Sequence, residues 1–287
     1  MPDGVGGMIR RVDASTGYAL LDAGDGRRLE RFADRLVDRP APGATGGRRD
    51  ATASWDRADL RFDRVQGWEG RDLAPWRVQL EGLTLELRPT DAGQIGVFPE
   101  HIATWPWLTN QATKRHPSGV LNLFAYTGAT TLALARAGAR VAHVDGARPA
   151  VAWARRNAAL SGLSEAPIRW LVDDAMAFAD RELRRGRVYR GVILDPPSYG
   201  HAAGRAWRLE DDLSELLRIG VRLVDRPGFI LLTAHTIGWD AERLSDALSD
   251  ALRDALRGGQ PESGDLDLEA ESGATLRLGA FARVIIE

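Results

Sequence analysis

The chain has 287 residues, of which 44% are hydrophobic and 27% charged, with a formal net charge of −2; this is ordinary for a globular protein of one large domain or two modest ones. No stretch approaches the ~18–20 apolar residues of a membrane span, and Met1–Arg10 carries no apolar signal core, so a cytoplasmic setting is expected. There are no cysteines, which excludes disulfides, thiolate metal sites and thiol nucleophiles, and the five histidines show no helical ligand spacing, so no metal is expected.

Up to residue 89 short apolar runs are broken by turn residues. Tyr18–Asp22 and Leu29–Phe32 flank Gly24-Asp-Gly26, and the stretch Pro40–Gly47 is rich in proline and glycine and reads as a loop. Trp76–Leu80 and Leu83–Leu87 alternate apolar and polar residues with period two, and Glu81-Gly82 between them predicts a tight turn. Residues 1–89 are therefore expected to form a small β-rich domain. Residues 90–118 are expected to connect it to the next domain and to pack on that domain's pocket, with Trp105 and Trp107 pinning the junction.

From Gly119 the rhythm becomes strand, turn, helix. Val120–Phe124 predicts a buried strand, and Thr130–Ala137 a helix stopped by Gly138. Arg140–Val144 predicts a strand, and Pro149–Leu160 a helix with proline near its first turn. Ile168–Val172 is a third strand, followed by a helix over 175–183. Arg190–Leu194 is a fourth strand and Leu209–Val224 a helix. Gly228–Thr233 is a fifth strand and Ala241–Leu256 a helix. Two β runs, Leu266–Ala270 and Ala280–Ile286, close the chain around Gly273. Alternating β and α units demand a parallel sheet covered on both faces, and the final pair, with no helix between, should run antiparallel. Residues 119–287 are thus expected to form an α/β, doubly wound, seven-stranded sheet. Its ligand should lie beyond the carboxyl ends of the strands.

Four features fall at those ends. Asn122-Leu-Phe-Ala-Tyr-Thr-Gly128 enters the first helix, where Gly128 allows close approach and the helix N-terminus suits a carboxylate; an ordinary strand–helix turn reads the same way. Asp145, followed by Gly146 and Ala147, can accept both hydroxyls of a ribose or cap the helix before Pro149. Asp173-Asp174-Ala175 can meet an adenine amine and ring nitrogen, or again cap a helix. In Asp195-Pro-Pro-Ser-Tyr-Gly200 two prolines remove two donors and stiffen the turn. The Asp195 carboxylate and the Pro196 carbonyl can then face a substrate amine, with Tyr199 placed to stack on a planar acceptor or simply to cover the turn.

Taken together, these segments resemble class I S-adenosylmethionine-dependent methyltransferases. More closely, they resemble the bacterial family containing the ribosomal RNA cytosine-5 and guanine-7 large-subunit methyltransferases. The resemblance runs from about Asp91 to the C-terminus. It implies a Rossmann-like methyltransferase sheet and S-adenosyl-L-methionine as cofactor. It implies cofactor contacts from Phe98 (in Gly96–Glu100), Asn122, Phe124, Ala125, Tyr126, Thr127, Gly128, Asp145, Gly146, Ala147, Asp173, Asp174, Ala175 and Asp195. It implies catalytic roles for Asp195, Pro196 and Tyr199.

Two departures shape the expectation. The general Asp/Glu-x-Gly-x-Gly pattern is replaced by Asn-x-Phe-x-Tyr-Thr-Gly, which leaves fewer glycines. Cytosine-5 transfer needs the covalent nucleophile that relatives supply as cysteine, so it is excluded. The expected reaction is methylation of a nitrogen of a nucleic-acid base, ribosomal RNA first, with a small-molecule acceptor as the alternative. The charge balance, with Lys114 the one lysine, shows no basic excess for RNA. A nicotinamide dinucleotide oxidoreductase is disfavoured because no Gly-x-Gly-x-x-Gly follows the first strand; a non-catalytic cofactor-binding protein is the remaining reading. Gly200–Ala206, with His201 and Arg205, is a candidate lid. His143 is expected to be structural.

Overall fold

Turn residues in the left-handed region set the N-terminal strands. The computed structural model describes residues 8–11, 17–49, 55–112, 118–202 and 205–287. After β1 (Met8–Arg11) come β2 (Tyr18–Gly24), β3 (Arg27–Phe32), β4 (Arg35–Pro40), β5 (Leu60–Asp63) and β6 (Gly67–Gly70), then the hairpin β7 (Trp76–Leu80) and β8 (Leu83–Leu87). Asp25 and Gly26 close β2 onto β3, and Glu81 and Gly82 close β7 onto β8, all four with positive φ. Such paired positive φ values give a turn whose twist matches the strands it joins. Strands β2–β6 form a five-stranded sheet in chain order, in which β4 and β5 are parallel.

Helix α1 (Trp105–Ala112) leads to β9 (Val120–Leu123), α2 (Ala129–Arg136), β10 (Val141–Asp145), α3 (Arg148–Leu160), β11 (Ile168–Val172), α4 (Ala175–Arg184) and β12 (Tyr189–Leu194). The hairpin β13 (Tyr199–Ala202) and β14 (Arg205–Arg208) follows, then α5 (Leu209–Leu223), β15 (Val224–Ala234), α6 (Ala241–Asp254), β16 (Glu262–Glu269) and β17 (Thr275–Ile286). The main sheet has the order β1-β16-β17-β15-β12-β9-β10-β11. Strand β9 pairs parallel with both β10 and β12, so the chain winds outward in both directions from it. Strand β17 runs antiparallel to β15 and β16. The seven expected strands are all present, and β1 adds an eighth at the edge, parallel to β16. Among the described residues no helix is long and apolar enough to cross a membrane.

Alternation along the strands divides the core into two layers. Ile193 and Leu231 pack with α1, α2 and the N-terminal strands, while Val192, Leu194, Ile230 and Leu232 pack with α4, α5 and α6. In the candidate lid Gly200–Ala206, the described residues Gly200–Ala202 and Arg205–Ala206 belong to the paired strands β13 and β14. Trp207 anchors this hairpin: its Nε1 donates to the Pro197 carbonyl (2.7 Å) and its ring packs on Phe124. The side chains of His201 and Arg205 lie outside the described residues.

Strand β8 pairs with β7 on one edge, and its other edge runs along α3, whose side chains stand in for a neighbouring strand. Ser161 Oγ accepts from the Thr84 N–H (3.1 Å) and donates to the Thr84 carbonyl (3.0 Å). Asn157 Oδ1 accepts from the Glu86 N–H (2.9 Å), and Trp153 Nε1 donates to the Glu86 carbonyl (2.9 Å). Two strand residues advance about 6.7 Å and four helix residues about 6 Å, so the two repeats stay in step. Asn157 Nδ2 also donates to the Thr127 carbonyl (3.0 Å), tying this hairpin to the loop after β9.

Candidate active site

The loop from β9 to α2 carries the strain. Phe124 and Tyr126 hold φ of 56° and 49°, and Gly128, at 86°, caps α2. Left-handed backbone costs a non-glycine residue roughly 1–2 kcal/mol, so the surroundings must enforce it. They do so with an Asp145 Oδ2 bond from the Tyr126 N–H (2.8 Å), an Ala125 N–H bond to the Val144 carbonyl (3.0 Å) and a Thr127 Oγ1 bond to the Gly96 carbonyl (2.5 Å). Two bulky residues thus adopt the backbone that a glycine-rich loop would adopt. The rings that this exposes, Phe124 and Tyr126, line a cavity of 410 Å³ at the strand tips.

Asp145, Gly146, Ala147, Asp174, Ala175, Asp195, Pro196 and Phe98 also line that cavity, with Gln94, Trp207, His235 and Thr236. Asp145 is not idle: its Oδ1 accepts from the Ala147 N–H (2.8 Å) while Oδ2 holds Tyr126. Burial raises its proton affinity above the usual carboxylate range, against the pull of those two amides. A carboxylate has about four lone-pair sites, so further acceptor capacity remains. Asp174 caps α4 by accepting from the Ala177 N–H (2.8 Å). Its neighbour Asp173 does not line the cavity and is ion-paired with Arg181.

Asn122, Ala125 and Thr127 border a second, 40 Å³ cavity behind the loop. The Asn122 side chain is buried and donates to Thr131 Oγ1 (2.9 Å), which in turn lies 3.0 Å from His143 Nδ1. Burial drives His143 down to about 3, so it is a neutral core residue. Trp105 is buried with Nε1 on Thr130 Oγ1 (3.3 Å), and Trp107 meets the edge of Phe229. Neither tryptophan lines these two cavities.

Asp195 stands at the tip of β12. Burial alone would raise its proton affinity, but His101, His235 and the Thr233 hydroxyl (2.6 Å) bring it down to about 2. It is therefore ionised and presents acceptors only. Tyr199 sits at the rim, 55% exposed, and lines neither cavity.

His101 and His235 are the residues that sequence reasoning missed. His235 follows β15 as Asp195 follows β12, so the fifth strand tip was the signal. Their Nε2 atoms lie 2.8 Å apart, and the rings stand 3.7 Å and 3.5 Å from the two Asp195 oxygens. Burial opposes charge on His235, yet Asp195 and Glu100 push it up to about 9; burial lowers His101. A third cavity, of 640 Å³, adjoins the first through Ser198, His235 and Thr236 and reaches Ala41–Gly43 of the N-terminal region.

Comparison with known proteins agrees with this geometry. A solved structure of a SAM-dependent methyltransferase from Agrobacterium tumefaciens superposes with a TM-score of 0.89 at 35% identity, over 96% of this chain and 92% of that one. The ribosomal RNA large subunit methyltransferase K/L of Methylococcus capsulatus is 30% identical over 143 residues, and that of Pseudoalteromonas atlantica 33% over 150. These stretches cover 49% and 51% of this chain but 19% and 20% of those proteins, so the chain spans about a fifth of the length of the curated relatives it matches. Residues 20–251 match the family of S-adenosylmethionine-dependent methyltransferases, so the chain belongs to that family and its cofactor is S-adenosyl-L-methionine.

Proposed function

We propose that this methyltransferase modifies a nitrogen of a nucleic-acid base, with ribosomal RNA as the first acceptor, in the cytoplasm. In this reading residues 119–287 are the catalytic unit, 90–118 close the pocket and 1–89 form an accessory β-rich unit. The observation that carries it is the turn Asp195-Pro196 forming one wall of the cavity that Asp145 and Asp174 line. The remaining lone pairs of Asp145 would hold the ribose, and Asp174 with the Ala175 N–H the adenine edge. Phe98, Phe124 and Tyr126 supply the apolar floor. Bound there, S-adenosyl-L-methionine supplies an electrophilic methyl group on a cationic sulfur. The protein's task is then to aim a nucleophile and receive its N–H. Asp195 is ionised, and neither Pro196 nor Pro197 has an N–H, so the turn offers acceptors to an amine. Tyr199 at the rim offers a face for a planar base. The names of the curated relatives support an RNA acceptor, and the absence of cysteine removes carbon-5 chemistry.

A small-molecule acceptor is the second reading, favoured by the 640 Å³ cavity. Its one arginine among the described residues, Arg277, is ion-paired with Asp265 (2.7 Å), which leaves little free positive charge for a phosphate backbone. Tritiated methyl transfer into RNA from cells lacking the protein decides between them. Incorporation into ribosomal RNA that falls with rising salt supports the first reading. Label confined to a metabolite fraction, with none in RNA, overturns it.

A further inference from the structure

His101 and His235 meet where the three cavities adjoin. His101 borders the 40 Å³ cavity and His235 is shared by the other two, while Asp195 lines the first two. The ring centroids are 5.0 Å apart and the ring planes differ by 12°. That separation exceeds the 2.8 Å between the Nε2 atoms by about the width of one imidazole ring, so the rings lie end to end. Two imidazoles holding one tetrahedral cation at ~2.0–2.1 Å would stand with their nitrogens about 3.3 Å apart, farther than the pair does here. The end-to-end arrangement is that of an N–H···N hydrogen bond.

The protons can be assigned from the partners. His235 Nδ1 is 2.8 Å from the Leu278 carbonyl, which can only accept, so Nδ1 carries a proton. The proton between the two Nε2 atoms is a second one. Among the described residues, the charged groups facing the pair are both carboxylates. Asp195 lies 3.5 Å from His235 Nε2 and 3.7 Å from His101 Nε2, and Glu100 Oε1 lies 3.7 Å from His235 Nδ1. Glu100 is 2% exposed, and among the described residues its Oε2 has no hydrogen-bond partner and Arg39 is the charge behind it. Phe98 packs against both rings. Two carboxylates around two imidazoles favour a third proton and a net positive charge on the pair.

We propose that His101 and His235 are positioning residues: a proton-sharing pair whose positive charge keeps Asp195 ionised and aimed at the acceptor nitrogen. This rests on reading Asp195 as the group that receives the acceptor's N–H. The directions of the proton affinities agree, with His235 raised, His101 lowered and Asp195 lowered. Without the pair, burial would carry Asp195 upward. A protonated Asp195 would confront an amine with a donor.

The test is a carbon-13 carboxyl titration of Asp195 in the cofactor-free full chain, in wild type, His235→Asn and His101→Gln. His235→Asn keeps an amide donor toward the Leu278 carbonyl and removes the charge. Melting curves identify the variants that remain folded. We expect the Asp195 midpoint to rise by about 2 units in each folded variant. The acid limb of kcat should move up with it, and activity should recover above that limb. An unmoved Asp195 midpoint in folded variants overturns the proposal. So does stoichiometric zinc binding by wild type that His235→Asn abolishes. Full activity of Asp195→Asn would instead overturn the acceptor reading of Asp195, leaving a shifted titration to stand on its own.

Discussion

Asp145 and Asp195 are both carboxylates at strand tips, yet their surroundings give them different work. Asp145 holds two loop amides, and its burial is offset by neutral donors alone. Replacing it with alanine removes the equivalent of one charged hydrogen bond to the ribose, worth ~1.5–3 kcal/mol. Calorimetry should therefore show S-adenosyl-L-methionine binding weakened roughly 10- to 100-fold in Asp145→Ala. Asp195 is set against imidazoles, and Asp195→Ala should lower kcat by on the order of 10²–10³ while cofactor affinity changes little, measured by single-turnover methyl transfer and calorimetry. The three strand-tip acids were legible in the sequence because each lies within two residues of the end of an apolar strand. The imidazole pair was not, because 134 residues separate its members and only the fold brings them together. The contact that takes up Asp173 was likewise beyond a linear reading, since Arg181 lies in the second turn of α4.

At the scale of elements, helices with a clear apolar stripe and hairpins with a positive-φ turn were legible to within a few residues. Strand β1 was not, because Met-Ile-Arg-Arg carries no alternation and its place is set by the β16 edge. Strands β15 and β17 run longer than their apolar stretches because Val224 pairs with Tyr189 of β12 and residues between Thr275 and Gly279 pair with β16. The hairpin β13–β14 depends on Trp207 docking against Phe124 and Pro197, a contact outside any local pattern. The segment ahead of α1 is fitted just as closely. Gly96 has φ 100°, and a Cβ there would stand 2.3 Å from the Trp153 ring. Strain and overpacking together predict that Gly96→Ala loses on the order of 2–4 kcal/mol, read from urea unfolding.

For the whole molecule, two histidines pull stability in opposite directions with pH. His143 sits at about 3 in the fold against about 6.5 in the unfolded chain. As pH falls from 6.5 toward 3 the unfolded chain binds its proton first, so stability declines across that window. His235 sits at about 9 in the fold. Its contribution is complete below about 6.5 and is lost as pH rises toward 9. Denaturant unfolding should therefore show greatest stability between about pH 6 and 7, and His235→Asn should flatten the alkaline side. A monotonic rise from pH 6 to 9 in wild type would contradict the assignment for His235.

The helix-backed edge of β8 has a consequence for solvent exchange. A lone two-stranded ribbon opens readily and trades its amide protons with water. Here the Thr84 and Glu86 protons are held by Ser161 and Asn157, and Asn157 grips the Thr127 carbonyl with its other end. Deuterium uptake at Thr84 and Glu86 should therefore be as slow as in the central strands, and should slow further whenever a ligand stiffens the loop of residues 122–128. A peripheral ribbon becomes a built-in gauge of events at the strand tips.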